Sequence, residues 1–200
     1  LLHIYTDGSA LINHGGTEMG QGLNTKVAQV VAEELGIDMD RVRVSSTDTS
    51  KVPNTSATAA STGTDLNGKA AQDAARKIKA ALVEFAADHY GCDAHDIVFR
   101  SNQVVCGDRI TLSFADFVQK AYMARVPLWS SGFYKTPKIH YDLKTLTGRP
   151  FYYFVYAAAC AEGVIDTLTG ENRLVRADIL YDAGRSINPA VDLGQVEGGF

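Results

Sequence analysis

Residues 15–22, Gly15-Gly16-Thr17-Glu18-Met19-Gly20-Gln21-Gly22, put four glycines into eight positions between an alternating apolar–polar stretch and a helix-period one. Backbone without Cβ atoms turns sharply and approaches a ligand closely, and a helix start offers unpaired N–H groups to an anion. Two readings follow: an anion-holding loop, or a tight strand-to-helix connection with no ligand. Spacing does not separate them. The stretch is neither a Walker A loop nor a dinucleotide fingerprint, because it lacks Gly-Lys-Ser/Thr and Gly-x-Gly-x-x-Gly.

Upstream, residues 2–6 and 9–14 alternate around Asp7-Gly8, which predicts a hairpin with a two-residue turn at positive φ. Downstream, Leu23, Val27, Val30, Val31 and Leu35 share one helical face, and Gly36 suits the left-handed position after it. Residues 41–46 alternate as a strand. Ala71, Ala74, Ala75, Ile78, Leu82 and Phe85 predict a long helix over 67–89. Ser113, with Asp116 three residues on, opens a helix running to 125, with Phe114, Phe117, Val118 and Ala121 inward. Residues 88–112 read as a surface insertion of short strands. Strands are expected at 151–163 and 174–181 around a turn at 168–171, and Asn188-Pro189 starts a last helix. Hairpins and helices mix irregularly, so the fold class is α+β.

The longest apolar run, 151–161, is about half of what a bilayer span needs. It reads as a buried strand, and Phe151-Tyr152-Tyr153-Phe154 as core. A net charge of −4 gives no field to attract nucleic acid or an anionic membrane. Cys92, Cys106 and Cys160 form no C-x-x-C pair, which argues against a disulfide framework or an iron–sulfur cluster here and fits a cytoplasmic protein. No signal peptide, G-x-S-x-G elbow or metal-ligand histidine spacing is present. Glu33-Glu34 reads as a solvated face. The chain opens inside an alternating run and closes inside a helical one, so 1–200 is expected to be a partial domain truncated at both ends.

A second candidate site is Asn54-Thr55-Ser56-Ala57-Thr58-Ala59-Ala60-Ser61-Thr62-Gly63-Thr64. Small side chains and many hydroxyls provide dense donors around a phosphate or a polar heterocycle; a solvated loop capping the next helix is the alternative.

The motifs G-G-T-E-M-G-Q-G-L (15–23), V-P-N-T-S-A-T-A-A-S (52–61), S-G-F-Y-K-T-P (131–137), A-A-A-C-A-E (157–162) and D-A-G-R-S-I-N-P-A-V-D-L-G-Q-V-E-G (182–198), in this order, resemble the large-subunit molybdenum hydroxylases, the xanthine dehydrogenases and aldehyde oxidases. S-G-F-Y-K-T-P is more similar to the xanthine dehydrogenase branch. The resemblance implies a molybdopterin-binding domain. Met19, Gly20 and Gln21 match the segment contacting the pterin and the terminal molybdenum ligands, and Lys26 a lysine near the pterin ring. Ala59, Ala60, Ser61, Thr62, Gly63 and Thr64 match the loop along the pterin and its phosphate, with Ala60 on the substrate-pocket wall. Gln195 matches a glutamine bonded to the pterin. Asn24 stands where some relatives carry histidine, and Gly63 where some carry serine.

No residue here is a direct metal ligand, since the cofactor's dithiolene holds molybdenum. The implied reaction is hydroxylation of xanthine or hypoxanthine, with electrons leaving through 2Fe-2S clusters and FAD to NAD. The glutamate base is expected beyond the C-terminus, and the clusters and FAD outside this chain. Implied partners are a purine substrate, the rest of the large subunit, an iron–sulfur/FAD subunit or domain, and a second copy in a homo-oligomer, with no nucleic acid and no membrane. The fragment alone is expected to be inactive. An aldehyde oxidase-type enzyme and a non-catalytic nucleotide-like ligand module are the alternatives.

Overall fold

The computed structural model describes residues 1–52, 55–108 and 110–199. The chain divides into two units, Leu1–Lys135 and Thr136–Phe200. The elements form the α+β mixture expected, small sheets with packed helices.

In the first unit β1 (Leu2–Ile4) and β2 (Ala10–Ile12) pair antiparallel, as their alternation demands. The turn differs from expectation. Only Gly8 has positive φ (80°), Tyr5 N donates to Ser9 O (2.8 Å), and Gly8 N to Tyr5 O (2.9 Å). Three residues therefore form the loop, and Asp7 stays on the ordinary side because its carboxylate accepts the Ser9 N–H at 2.8 Å.

Helix α1 (Leu23–Leu35) buries Leu23, Val27, Ala28, Val31, Ala32 and Leu35 and crosses to β3 (Val42–Val44), which lies parallel to β2. Gly36 ends α1 at φ 65°, while Ile37 N reaches Ala32 O (3.0 Å) and buries its side chain, a glycine-dependent stop. With β7 (Trp129–Ser130) the sheet order is β3-β2-β1-β7.

Helix α2 (Gly63–Tyr90) starts four residues before the expected 67 and lines α1 with Ala71, Ala74, Ala75, Ile78 and Leu82. Glu34 is not on a solvated face. Its carboxylate, 16% exposed, accepts from Arg76 Nε (3.1 Å) and Gln72 Nε2 (3.2 Å) of α2.

The surface placement of 88–112 is also overturned. Strands β4 (Ile97–Arg100), β5 (Gln103–Cys106) and β6 (Ile110–Ser113) form an antiparallel sheet in the order β4-β5-β6. Ile97, Phe99, Val104 and Cys106 are buried in the same core as α1 and α2. Ser101 and Asn102, both at positive φ (50° and 59°), make the β4–β5 turn. That turn grips the end of α1: Asn102 N donates to Gly36 O (2.8 Å), and its side chain exchanges bonds with Asp38 (2.8 and 2.7 Å). Two alternating inward residues on each of β4 and β5 suffice to fill this part of the core, whatever the polarity between them.

Helix α3 (Phe114–Met123) seats Phe114 and Phe117 against Phe99, with centroids 6.3 and 6.0 Å apart. Ser113 caps it as its position predicts: Oγ accepts from Asp116 N at 3.1 Å. Ser113→Ala is expected to cost about 1 kcal/mol, measurable as a shift in urea midpoint at constant m; an unshifted midpoint would show that solvent replaces the cap.

The second unit holds β8 (His140–Asp142), β9 (Thr147–Arg149), β10 (Tyr156–Ile165), β11 (Asn172–Asp182) and α4 (Pro189–Gly199). Strands β8 and β9 form one antiparallel pair and β10 and β11 another, and Asn188 Oδ1 receives Val191 N (3.2 Å) at the start of α4. Of the apolar run 151–161 only residues 156–161 lie in a strand, not 151–155, and that strand is not a buried one. Every residue of β10 is exposed, and so are Phe151, Tyr152, Tyr153 and Phe154. Within this unit a two-stranded ribbon has no layer over it, so apolar composition alone does not bring burial. Among the described residues no helix is long and apolar enough to cross a membrane.

Candidate functional site

The connection from β2 to α1 carries the glycine-rich loop. Its helix start is not an open anion site. The Glu18 carboxylate occupies it: Oε1 accepts from Gly20 N and Gly22 N (3.0 Å each) and Oε2 from Asn24 N (2.9 Å). The helix dipole and two of its orphan amides, Gly22 N and Asn24 N, thus meet the chain's own charge. Partial desolvation pushes the Glu18 carboxyl up, but the amides of Asn24, Gly22 and Gly20 outweigh it and hold the pKa below the ordinary value.

Gln21 also faces its own loop. Oε1 accepts from Met19 N (2.6 Å) and Nε2 donates to Thr17 O (2.9 Å). Met19 stands out at 66% exposure, Gly20 (φ 98°) has open space where a Cβ would lie, and Lys26 lies half-buried in the first turns of α1.

His14 closes the base of this loop. The residue is 8% exposed, Nδ1 accepts the Gly16 N–H at 3.1 Å, and Nε2 lies 3.0 Å from Asn24 Oδ1. A backbone N–H only donates, so Nδ1 is bare and the proton sits on Nε2, donated to Asn24. Burial holds the ring's pKa below the histidine value, against the opposing pull of the Asn24 bond. Thr47 Oγ1, beyond β3, reaches His14 O (3.1 Å) and Gly16 O (2.7 Å).

The two loops singled out in the sequence meet. Thr17 N donates to Thr58 Oγ1 at 2.8 Å. A Cβ on Gly15 would lie 2.8 Å from Thr55 Cγ2, and one on Gly16 2.8 Å from Asn67 Nδ2 of α2. Glycine at 15 and 16 is therefore a packing requirement, letting one loop lie against the other.

Pro53 and Asn54, where the second loop begins, lie outside the described residues. Ala59, Ala60, Ser61 and Thr62 are exposed, and Gly63 and Thr64 half-buried in the first turn of α2. Ala60 holds φ 55°, a left-handed conformation that costs an alanine about 1–2 kcal/mol. Thr62 Oγ1 bonds Ala59 O (3.2 Å) and does not cap α2. In the same turn the Asp65 Oδ1 atom is buried with no partner among the described residues. Gln195 belongs to α4 of the second unit and is exposed.

Sequence reasoning missed Glu18, His14, Asn24 and Asp65. Glu18 had a signal: an acid four residues ahead of Gly22, the N-cap of α1, can fold back onto the helix start.

The fold and the joined loops describe an α+β ligand-binding unit. The model of the molybdopterin cofactor-binding domain matches residues 1–200, and the chain belongs to that family. It is 46% identical over 200 residues to xanthine dehydrogenase/oxidase of Felis catus and 46% to xanthine dehydrogenase of Oryza sativa subsp. japonica, covering all of this chain and 14% and 13% of theirs. Aldehyde oxidase 2 of Macaca fascicularis is 40% identical over the same span. Among solved structures, reconstituted CO dehydrogenase from Oligotropha carboxidovorans superposes with TM-score 0.81 at 26% identity, over 99% of this chain and 24% of that one. Quinoline 2-oxidoreductase from Pseudomonas putida 86 shares the fold, with TM-score 0.81 at 22% identity. The chain spans about one-seventh of the length of the curated relatives it matches.

Proposed function

We propose that residues 1–200 supply part of the molybdopterin wall of a xanthine dehydrogenase-type enzyme that hydroxylates xanthine or hypoxanthine in the cytoplasm. The observation that carries this reading is the junction of the loops 15–22 and 55–64 at the starts of α1 and α2. The α2 start, which Thr62 does not cap, suits the phosphate, and the buried Asp65 oxygen, without a partner among the described residues, suits a ring bearing N–H groups. Because Glu18 already fills the α1 start, the phosphate belongs with Ser61, Thr62, Gly63 and Thr64 rather than with α1.

Met19, Gly20, Gln21 and Lys26 line one side of the cofactor. Ala59 and Ala60 line the other, Ala60 being small enough to leave room for substrate, and Gln195 is assigned a pterin bond on the family resemblance alone. When bound, molybdopterin supplies the redox chemistry; these residues bind it, orient it and keep water from it. The glutamate base, the 2Fe-2S clusters, the FAD and the path to NAD belong to the remainder of the enzyme, which assembles as a homo-oligomer. The identity to xanthine dehydrogenases, 46% against 40% for aldehyde oxidase 2, favours purine over aldehyde.

The test is turnover of the purified full-length enzyme on purines and aldehydes, with molybdenum and pterin counted per chain. Purine hydroxylation with stoichiometric pterin is expected, and activity confined to aldehydes would sink the xanthine assignment. Gln21→Ala and Gln195→Ala are each expected to lose about 1–3 kcal/mol of cofactor binding.

A further inference from the structure

We propose that His14 is a positioning residue for the cofactor loop: its ring ties the two ends of residues 16–24 together and so sets where Gly20 and Gln21 stand. The proposal rests on the reading of that loop as molybdopterin wall. The ring touches the chain at both ends of the loop, at Gly16 N (3.1 Å) and at Asn24 Oδ1 (3.0 Å). Between those points lie Met19, Gly20 and Gln21, anchored among the described residues to neighbours inside the loop: Gly20 to Glu18, Met19 to Gln21, Gln21 to Thr17.

Glu18 binds amides at 20, 22 and 24, so it shapes the second half of the loop but does not attach the loop to the sheet. His14 does, because it lies two residues past β2 and its own carbonyl, like that of Gly16, is held by Thr47 beyond β3. The ring is therefore a chord that closes the loop onto the strands. It is buried, a buried polar ring without partners is costly, and a further side-chain bond to Asn67 of α2 helps to keep the ring in its seat. A loop with this chord cut still follows the same path on average, but its apex swings, and the cofactor it faces is misaimed.

The experiment uses the full-length enzyme and three variants. His14→Asn keeps an acceptor for the N–H two residues on, an Asx turn, but is too short for Asn24. Asn24→Ala removes the same bridge from the other end, and the double variant combines them. Amide exchange across 15–22 is expected to quicken about tenfold in each single variant and no further in the double, as befits one shared bond. Exchange at residues 71–86 of α2 stays at the wild-type rate, which separates loosening of the loop from unfolding. Turnover per bound pterin falls several-fold with KM unchanged, whereas a role confined to folding lowers the yield of loaded enzyme and leaves turnover per pterin intact. Unchanged loop exchange overturns the proposal, as does faster exchange with wild-type turnover per pterin. Wild-type enzyme without pterin overturns the underlying reading of the loop instead, and that is seen before any variant is made.

Discussion

Gly132→Ala is expected to destabilise the chain by about 3 kcal/mol, at the upper end of what an inserted methyl group costs. The new Cβ would overlap the Ala70 carbonyl oxygen and lie 2.7 Å from Ala74 N and 2.9 Å from the Ala70 carbonyl carbon. All three are backbone atoms in the body of the 28-residue helix α2, which cannot bend aside without breaking its own ladder. Nor can the segment lift away, because its flanks are fastened. Lys77 Nζ holds Ser131 O at 3.2 Å, and Asp73 Oδ2 holds Phe133 N at 3.0 Å.

Gly68→Ala on the same helix is the control. There an added Cβ meets Val30 Cγ2 at 3.7 Å, ordinary contact, so the better helix propensity of alanine gives a neutral or slightly stabilising change, up to about 1 kcal/mol. Urea unfolding of both variants decides. A Gly132→Ala midpoint equal to wild type would mean that the segment does not lie on α2 as described.

What the sequence disclosed and what it withheld divide along a physical line. Signals local to a few residues read correctly: the Ser113 cap, the Gly36 stop, the Asn188 cap, the apolar stripes of α1 and α2. Features set by distant partners did not. Glu34 looks like a surface acid until Arg76, forty-two residues on, is seen beside it. Residues 88–112 look peripheral because each strand is only four residues long, yet Phe99 and Val104 reach the centre of the unit. The exposed β10 failed in the opposite sense, since hydrophobicity measures a preference for cover and says nothing of what supplies it.

The site follows the same rule. Glycines marked the first loop and small, hydroxyl-rich residues the second, but did not show that the two touch, nor that Glu18 takes the helix start assigned to an anion. The family resemblance implies that Gln21 contacts the cofactor; in the structure its amide is bonded to Met19 and Thr17 of its own loop.

Gly16→Ala is expected to damage both helix starts at once. Gly16 is buried, and its backbone is not in the left-handed region, so the effect is one of space alone. The added methyl would press on Leu23 Cδ2 and stand 2.8 Å from Asn67 Nδ2 and 3.2 Å from Asn67 Cγ. Leu23, the first residue of α1, is fully buried against Val27 and the rest of the core and has nowhere to retreat. Asn67 Nδ2 donates to Gly63 O at 2.9 Å, so moving it loosens the first turn of α2. Overpacking of this kind costs about 2 kcal/mol.

Its larger effect falls on binding, because the methyl sits where the two cofactor loops are drawn together. With the starts of α1 and α2 pushed apart, contacts that the proposed function assigns to opposite walls cannot be made together, and pterin retained per full-length chain should fall about tenfold or more. Leu23→Val in the same chain removes one methyl from the crowded spot and should restore part of both stability and retention. Full pterin content in Gly16→Ala, with the expected loss of stability, would show that the packing is described correctly but that cofactor binding does not depend on the junction. No recovery in the double variant would show that Leu23 is not the neighbour that must give way.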